Sequence, residues 1–467
     1  EPSSAQEAKD MVAFAFDLSE KLQQLVIYRT TTRINHYTEV VVLGDIQTPI
    51  TQGDFIKDPF NYVTVPAVSR NLHVKLLEKL ETAETISETS EYNFITGDGA
   101  WGIVCNGVSY NYVSDAVKDL NMAHDVKILR VGFSHPMPRS LIIDFLKGCE
   151  KVLVVEEGEP FMEETIKAFA QEEGLTLPIN GKRNDLLVRQ CLATYFDVTC
   201  KPAAGVNLSD VPEIPQRPPS LCAGCSHRAT FYAVNKATEG METICPTDIG
   251  CYTLGFMPPL SAGDFLICMG ASVGTSCGFS KVTDKKVISF IGDSTFFHSG
   301  IPGLINAVFN NHNFTLVILD NGITAMTGHQ HHPGVDMKAL SMEGYAHVSI
   351  EEIVKAVGVP HVSIIRPYRV KKSIESIKEA LNFKGVSVVI SKEGCTLFAK
   401  ALKKPRGRSF FVSEKCKNHR DCINELACPA FFIEDNRVKI DPALCSGCTV
   451  CAQICPEHAI LPLKDDA

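Results

Sequence analysis

Residues Val287 to Gly328, VISFIGDSTFFHSGIPGLINAVFNNHNFTLVILDNGITAMTG, constrain this chain more than any other stretch. Val287 to Ile291 is a short apolar run rich in β-branched residues, and it reads as a buried strand that stops at Gly292-Asp293-Ser294. Pro302 to Asn311 then carries Leu304, Ile305, Val308 and Phe309 at helical spacing. A second apolar run, Thr315 to Leu319, ends at Asp320-Asn321-Gly322. Strand, helix and strand in this order make a parallel unit. Asp293 and Asn321, with 27 residues between them, therefore stand at the C-terminal ends of neighbouring strands, where open α/β sheets place their ligands. A carboxylate and an amide there, with a backbone carbonyl from the following loop at Ile323, suit the hard oxygen coordination that Mg2+ prefers beneath a diphosphate.

GDS followed at this interval by DN resembles the thiamine diphosphate motif, with Ser294 in place of the motif's second glycine and Asp320 in place of its first asparagine. Both departures occur in the 2-oxoacid:ferredoxin oxidoreductase family, and the continuation TAMTGHQHHPG resembles the branch acting on indolepyruvate. A second GDG, Gly97 to Gly99, has Val126 where an amide partner would fall, so it reads as a turn.

The resemblance extends upstream. CAGCSHRATFYA, opening at Cys222, is similar to a family stretch in which a loop opens a helix lining the cofactor. It implies cofactor contacts at Cys222 and Cys225 and a catalytic role for His227. A Cys-x2-Cys followed by His also invites zinc, but no second pair stands at finger spacing. PTDIGCYTLG and CMGASVGTSCG match two further family loops. They imply cofactor contacts at Asp248, Gly250, Cys251, Gly270 and Ser272, beside Gly292, Asp293, Ser294, Asn321, Ile323 and Thr327. Gly270 to Gly274 is expected to open a helix, a natural anion site. In the loop after Gly328, which covers the active site in the family, His329 and Gln330 are expected to face substrate; His331 and His332 are left open.

The C-terminal segment carries the most specific motif. Cys445-x2-Cys448-x2-Cys451-x3-Cys455-Pro456 matches the bacterial ferredoxin run, in which three thiolates grip one cubane and the cysteine before proline reaches the other cluster. Cys428, which also precedes a proline, should complete the first 4Fe-4S site. The upstream half is degenerate: Cys416-x2-His419-x2-Cys422 has histidine at the middle position. With Cys455 this second site has three thiolates, which predicts either a 3Fe-4S cluster or a 4Fe-4S cluster with His419 on the fourth iron.

Elsewhere the chain is less explicit. At 467 residues it has room for about three domains. We expect a C-terminal remnant of a pyrimidine-binding domain at 1–50, a transketolase C-terminal-like domain at 55–200, a Pro-rich linker at 201–220, a thiamine diphosphate-binding domain at 221–395 and a ferredoxin domain at 409–467. In the first, Ser4 and Glu7 form a capping box, an amphipathic helix follows, and Leu25 to Tyr28 reads as a strand. The resemblance implies that most of that domain, with the family's ring-protonating glutamate, lies outside this sequence. Arg33 and His36 match family positions. The second domain should hold a parallel sheet with strands at Tyr92 to Thr96, Ile103 to Asn106, Val126 to Val131 and Lys151 to Glu156; Glu156 and Glu157 read as a solvated strand end.

A formal net charge of -9 counts against general nucleic-acid binding, and no apolar run approaches the roughly 18 residues that a bilayer span needs. Of 18 cysteines, seven follow Lys415 at metal-ligand spacings, which fits a reduced, cytoplasmic setting better than a disulfide framework. The fold class expected is α/β, with doubly wound thiamine diphosphate-binding domains and a C-terminal α+β two-cluster ferredoxin domain. The function implied is oxidative decarboxylation of an aryl 2-oxoacid with thiamine diphosphate, Mg2+ and iron-sulfur clusters. Coenzyme A, external ferredoxin and a smaller beta subunit are the partners. Another 2-oxoacid such as pyruvate, a non-redox decarboxylase and a non-enzymatic electron carrier are the alternatives.

Overall fold

The computed structural model describes residues 1–45, 58–62, 65–182, 187–200, 219–404 and 407–463. All but the last two residues of the expected linker lie outside them. The chain divides into two compact units, Glu1–Glu213 and Ile214–Ala467.

The first unit opens with a helix, Ala5–Leu22, whose start is tied as the sequence predicts: Ser4 Oγ accepts from the N–H of Glu7 at 3.1 Å. The reciprocal arm shifts by one residue, because the Glu7 carboxylate takes the N–H and hydroxyl of Ser3 and the guanidinium of the fully buried Arg130. The unit's sheet has strands β1 (Asn93–Thr96), β2 (Trp101–Cys105), β3 (Val126–Val131), β4 (Lys151–Val155) and β5 (Ile179–Gly181), in the order β1-β3-β2-β4-β5. Apolar residues alternate to its two faces. Ile103, Ile128 and Leu153 pack on one side against Val113, Val117 and Phe196. Val104, Leu129 and Val154 pack on the other against Ile142, Leu146 and Ile166.

Two expectations fail here. The sheet is not wholly parallel, because β1 runs antiparallel to β3. Only four residues join β1 to β2, and a parallel crossover takes a dozen or more. The short join passes round the start of β3, where the N–H of Gly99 bonds Val126 O and a side chain at Gly99 would overlap the Asp125 backbone. The second GDG is thus a crossing turn. The strand expected at Leu25 to Tyr28 is also absent: no ladder pairs it among the described residues, and Leu25 and Ile27 are exposed.

In the second unit β6 (Thr243–Ile244), β7 (Lys286–Gly292), β8 (Phe314–Asp320), β9 (His361–Ile365) and β10 (Val386–Lys392) form an all-parallel sheet in the order β6-β7-β8-β10-β9. Its strands are continuous apolar runs because both faces are covered. Phe290, Val317 and Val389 meet Phe231, Val234 and Ile377, which lie on the helices Ser226–Ala237 and Val370–Asn382. Ile291, Leu316 and Ile390 meet Val273, Leu304 and Val354 on three helices of the opposite layer. Two antiparallel ribbons follow, β11 (Phe410–Val412) with β14 (Ile460–Pro462) and β12 (Phe431–Glu434) with β13 (Arg437–Ile440), framing the cysteine-rich loops. Among the described residues no helix is long and apolar enough to cross a membrane.

Candidate active site and electron-transfer centres

The parallel register of β7 and β8 pairs Gly292 with Leu319, so Asp293 and Asn321 leave adjacent strand ends as the spacing requires. Asp293 is 3% exposed. Its carboxylate accepts from three backbone N–H groups: Ser294 at 2.7 Å, Asn321 at 3.1 Å and Gly322 at 2.8 Å. Asn321 Oδ1 accepts from the N–H of Ile323 at 3.1 Å, which turns its amide nitrogen towards His227 Nε2, 3.0 Å away. An acceptor at Nε2 requires the neutral imidazole with its proton on Nδ1. Burial favours the same state, lowering His227 to about 4, with the nearby Asp293 charge only partly opposing it. Asp320, at the first asparagine position of the motif, is raised to about 6 by burial and by Asp293, against the pull of Lys392.

His332, which the sequence leaves open, also lies here. The N–H of Gly334 donates to its Nδ1 at 3.2 Å, leaving the proton on Nε2. That nitrogen lies 3.1 Å from Asp293 Oδ2, yet is misaligned for a hydrogen bond and has no other partner among the described residues. His329 and Gln330 sit on the same loop. The His329 ring stacks on Phe398 at 5.6 Å, and Gln330 bonds the hydroxyl and carbonyl of Thr327, closing the loop on itself.

Gly270 caps the helix Ala271–Val282 in the left-handed region, φ 90°, and a side chain there would overlap Ser299 Oγ. The N–H groups of Gly270 and Ser272 are already engaged, at 2.6 and 3.1 Å, by the fully buried carboxylate of Asp248. Among the described residues, the hydroxyls of Ser272 and Ser299 are buried without partners. Unpaired buried donors of this kind call for a polar ligand, and a diphosphate fits. Tyr252 packs its ring over Gly250 and Gly292 and donates to Ile249 O at 2.9 Å.

The thiols gather in three sets. Cys428, Cys445, Cys448 and Cys451 form the first: burial and then the charges of Cys448, Cys428 and Cys445 push the Cys451 thiol up. Cys416, His419, Cys422 and Cys455 line one cavity, and burial with Cys416 and Cys455 raises Cys422 to about 11. The third set joins Cys222, Cys225 and Cys251 to Cys395, which no sequence motif marks. Burial, then Cys395 and Cys222, raise Cys251 to about 11, and burial above all raises Cys225 to about 12. Cys395 follows the end of β10, beside β8, and its N–H donates to Asn321 O at 3.0 Å. Its position after a third strand end is the available signal. Among the described residues no three such donors are drawn close enough to hold a single metal ion.

The third set lies between the strand ends and the first. Gly224, φ 66°, brings the Cys222–Cys225 loop so close to the ferredoxin run that a side chain would overlap Ser446 Oγ and touch Cys448. Tyr368 OH donates to Gly224 O at 2.6 Å, and the buried Arg228 guanidinium donates to Leu426 O at 2.9 Å. The ferredoxin module is thus seated on the helix that begins beside His227.

Residues 248–391 match the thiamine pyrophosphate enzyme C-terminal TPP binding domain, and residues 438–461 match the 4Fe-4S binding domain. Together with the parallel sheet and cysteine runs, these define a thiamine diphosphate-dependent, iron-sulfur 2-oxoacid:ferredoxin oxidoreductase. The indolepyruvate oxidoreductase subunit IorA of Methanothermobacter marburgensis is 45% identical, over 99% of this chain and 76% of its own. That of Archaeoglobus fulgidus is 41% identical, over 100% and 77%. The chain belongs to the indolepyruvate oxidoreductase subunit IorA family. A solved 2-oxoglutarate:ferredoxin oxidoreductase from Magnetococcus marinus is 20% identical, covering 39% of this chain and 66% of its own, with a TM-score of 0.34; that likeness adds nothing to the family assignment.

Proposed function

We propose that the chain catalyses oxidative decarboxylation of an aryl 2-oxoacid, indolepyruvate, giving the acyl-coenzyme A and two electrons for external ferredoxin, in complex with a second, smaller subunit. The observation that carries this reading is the juxtaposition in the second unit. A carboxylate and an amide stand at neighbouring strand ends, and a thiol-rich loop leads from them to a complete cluster-binding run. Bound there, thiamine diphosphate would supply the electron sink that 2-oxoacid decarboxylation needs, and iron-sulfur clusters would accept the electrons singly.

Asp293, Asn321 and the Ile323 carbonyl would hold Mg2+, an oxygen set suited to that ion. Gly292, Ser294, Thr327, Asp248, Gly250, Gly270 and Ser272 would border the cofactor, and the unpaired Ser272 hydroxyl would be available to its diphosphate. His227, held neutral by burial, keeps the Asn321 amide in orientation. His329 and Gln330 form the loop side of the substrate pocket, where an aryl group would be accepted. Cys428, Cys445, Cys448 and Cys451 would hold one 4Fe-4S cluster, and Cys416, Cys422 and Cys455 a second iron-sulfur cluster. Cys222, Cys225, Cys251 and Cys395 form a third group of thiols between the strand ends and the ferredoxin module.

The test is anaerobic viologen reduction by the protein with its partner subunit, Mg2+, thiamine diphosphate and coenzyme A. Reduction with indolepyruvate, and far less with pyruvate or 2-oxoglutarate, is the expected result. A preference for another 2-oxoacid removes the substrate assignment and keeps the mechanism; aldehyde release without viologen reduction removes both.

A further inference from the structure

The upstream cysteine run departs from the downstream one at its middle position and in the five residues, rather than three, that separate Cys422 from Cys428. Cys416-x2-His419-x2-Cys422 carries an imidazole where the middle thiolate would stand, and the structure puts that imidazole in the same cavity wall as Cys416, Cys422 and Cys455. Val412, Val438 and Ile460 close the cavity's apolar side. Asn418 and Arg420, on either side of the histidine, both adopt the left-handed conformation, φ 61° and 68°, so the ring is presented by a sharply bent loop.

The ring is already committed at one end. His419 Nε2 lies 3.1 Å from Glu457 Oε1, and the other carboxylate oxygen of Glu457 lies 3.0 Å from Lys417 Nζ. An ionised carboxylate only accepts, so Nε2 carries the hydrogen and Nδ1 keeps the lone pair. Metal-bound histidines are oriented in this way, one nitrogen on a carboxylate and the other on the metal. Two of the thiols are likewise prepared: the N–H of Asn418 points to Cys416 Sγ and that of Ala459 to Cys455 Sγ, each at 3.4 Å. Hydrogen bonds to ligand sulfur are among the features that tune iron-sulfur clusters.

We propose that His419, through Nδ1, is the fourth ligand of a 4Fe-4S cluster held with Cys416, Cys422 and Cys455, and that Glu457 is a positioning residue fixing its tautomer and plane. The inference rests on the iron-sulfur part of the proposed function and decides between the two cluster forms that the sequence leaves open. A neutral imidazole in place of a thiolate lowers the negative charge of the cluster and raises its reduction potential, as histidine ligation does in other iron-sulfur centres. The Cys445 run, with four thiolates, has the lower potential. The His419 side chain is 48% exposed, so the higher-potential cluster faces solvent. Electrons from substrate oxidation therefore settle at the surface, where an external one-electron carrier of the ferredoxin class collects them.

The experiment uses the complete protein with its partner subunit, purified anaerobically and labelled selectively at histidine nitrogen. Pulsed EPR of the reduced protein, read with iron content and a potentiometric titration, is expected to show a histidine nitrogen coupled to one cluster. His419→Cys should keep both clusters, abolish that coupling and lower one potential. Glu457→Gln should keep the coupling and shift the same potential upward, which a merely structural carboxylate would not do. Two full cubanes without nitrogen coupling, or a 3Fe-4S signal in freshly isolated protein, would overturn the proposal. Iron sufficient only for the Cys445 site would instead remove the second cluster itself.

Discussion

The two five-stranded sheets of this protein end in similar chemistry and use it differently. After β4 in the first unit, Glu156 presents a carboxylate at a strand end, as Asp293 does after β7 in the second. Both Glu156 oxygens accept from the start of the helix Phe161–Glu172, Met162 N–H at 2.8 Å and Glu163 N–H at 3.0 Å. Glu156, a solvated strand end by its sequence, is instead a helix cap, partly buried and with its pKa raised by that burial. Asp293 also receives backbone N–H groups, but it has an amide beside it, an unsatisfied imidazole nitrogen against it and orphan hydroxyls nearby. A strand-end carboxylate becomes a site only when the neighbouring strand ends supply further polar atoms that the fold leaves unsatisfied.

That contrast can be broken by substitution. Asp293→Ala should weaken Mg2+–thiamine diphosphate binding well over about 100-fold, followed by calorimetric titration of the two ligands together. An equal loss on replacing Glu156 would erase the distinction drawn between the sheets.

A second effect follows from His227. Its pKa falls from 6.5 in the unfolded chain to about 4 when buried, so the unfolded state binds the extra proton between these values. The stability gained from holding it neutral is fully present above pH 6.5 and is lost as pH falls through about 4, on the order of 3 kcal/mol in all. Denaturant unfolding from pH 8 to 5 should show the wild type losing stability faster than His227→Asn. Parallel curves would mean that the imidazole takes up its proton at the same pH in the folded and unfolded chain. His332→Asn should be milder, about 10-fold in cofactor affinity with the fold intact, and an unchanged affinity would separate His332 from the site. Glu156→Ala should cost only about 1 kcal/mol of thermal stability and leave cofactor binding as it was.

How much of this is legible in the sequence depends on whether residues act through local spacing. The Asp293–Asn321 pair is readable because one strand, one helix and one strand carry a fixed geometry, and the Cys445 run because a tight loop determines which thiols meet. Cys395 is not, since it reaches Cys222 and Cys251 only through the adjacency of β8 and β10, which no local spacing encodes. His332 lies hidden among three histidines without a helical or strand frame, and its choice over His329 comes from the turn at Gly334. In the first unit, the alternation of strands and helices announces a parallel sheet; the direction of β1 is set by a four-residue join, and sheet order decides what that join can do.

The proposed function requires electrons to pass from the β7–β8 strand ends to the ferredoxin module past the thiols between them. The most direct measurement is the visible bleaching of the clusters in cofactor-loaded protein with its partner subunit, on adding 2-oxoacid without any external acceptor. The wild type should bleach with 2-oxoacid. Asp293→Ala should stay coloured with 2-oxoacid and bleach with dithionite. Bleaching of that variant by 2-oxoacid, or wild-type clusters that dithionite reduces and 2-oxoacid never does, would contradict this route.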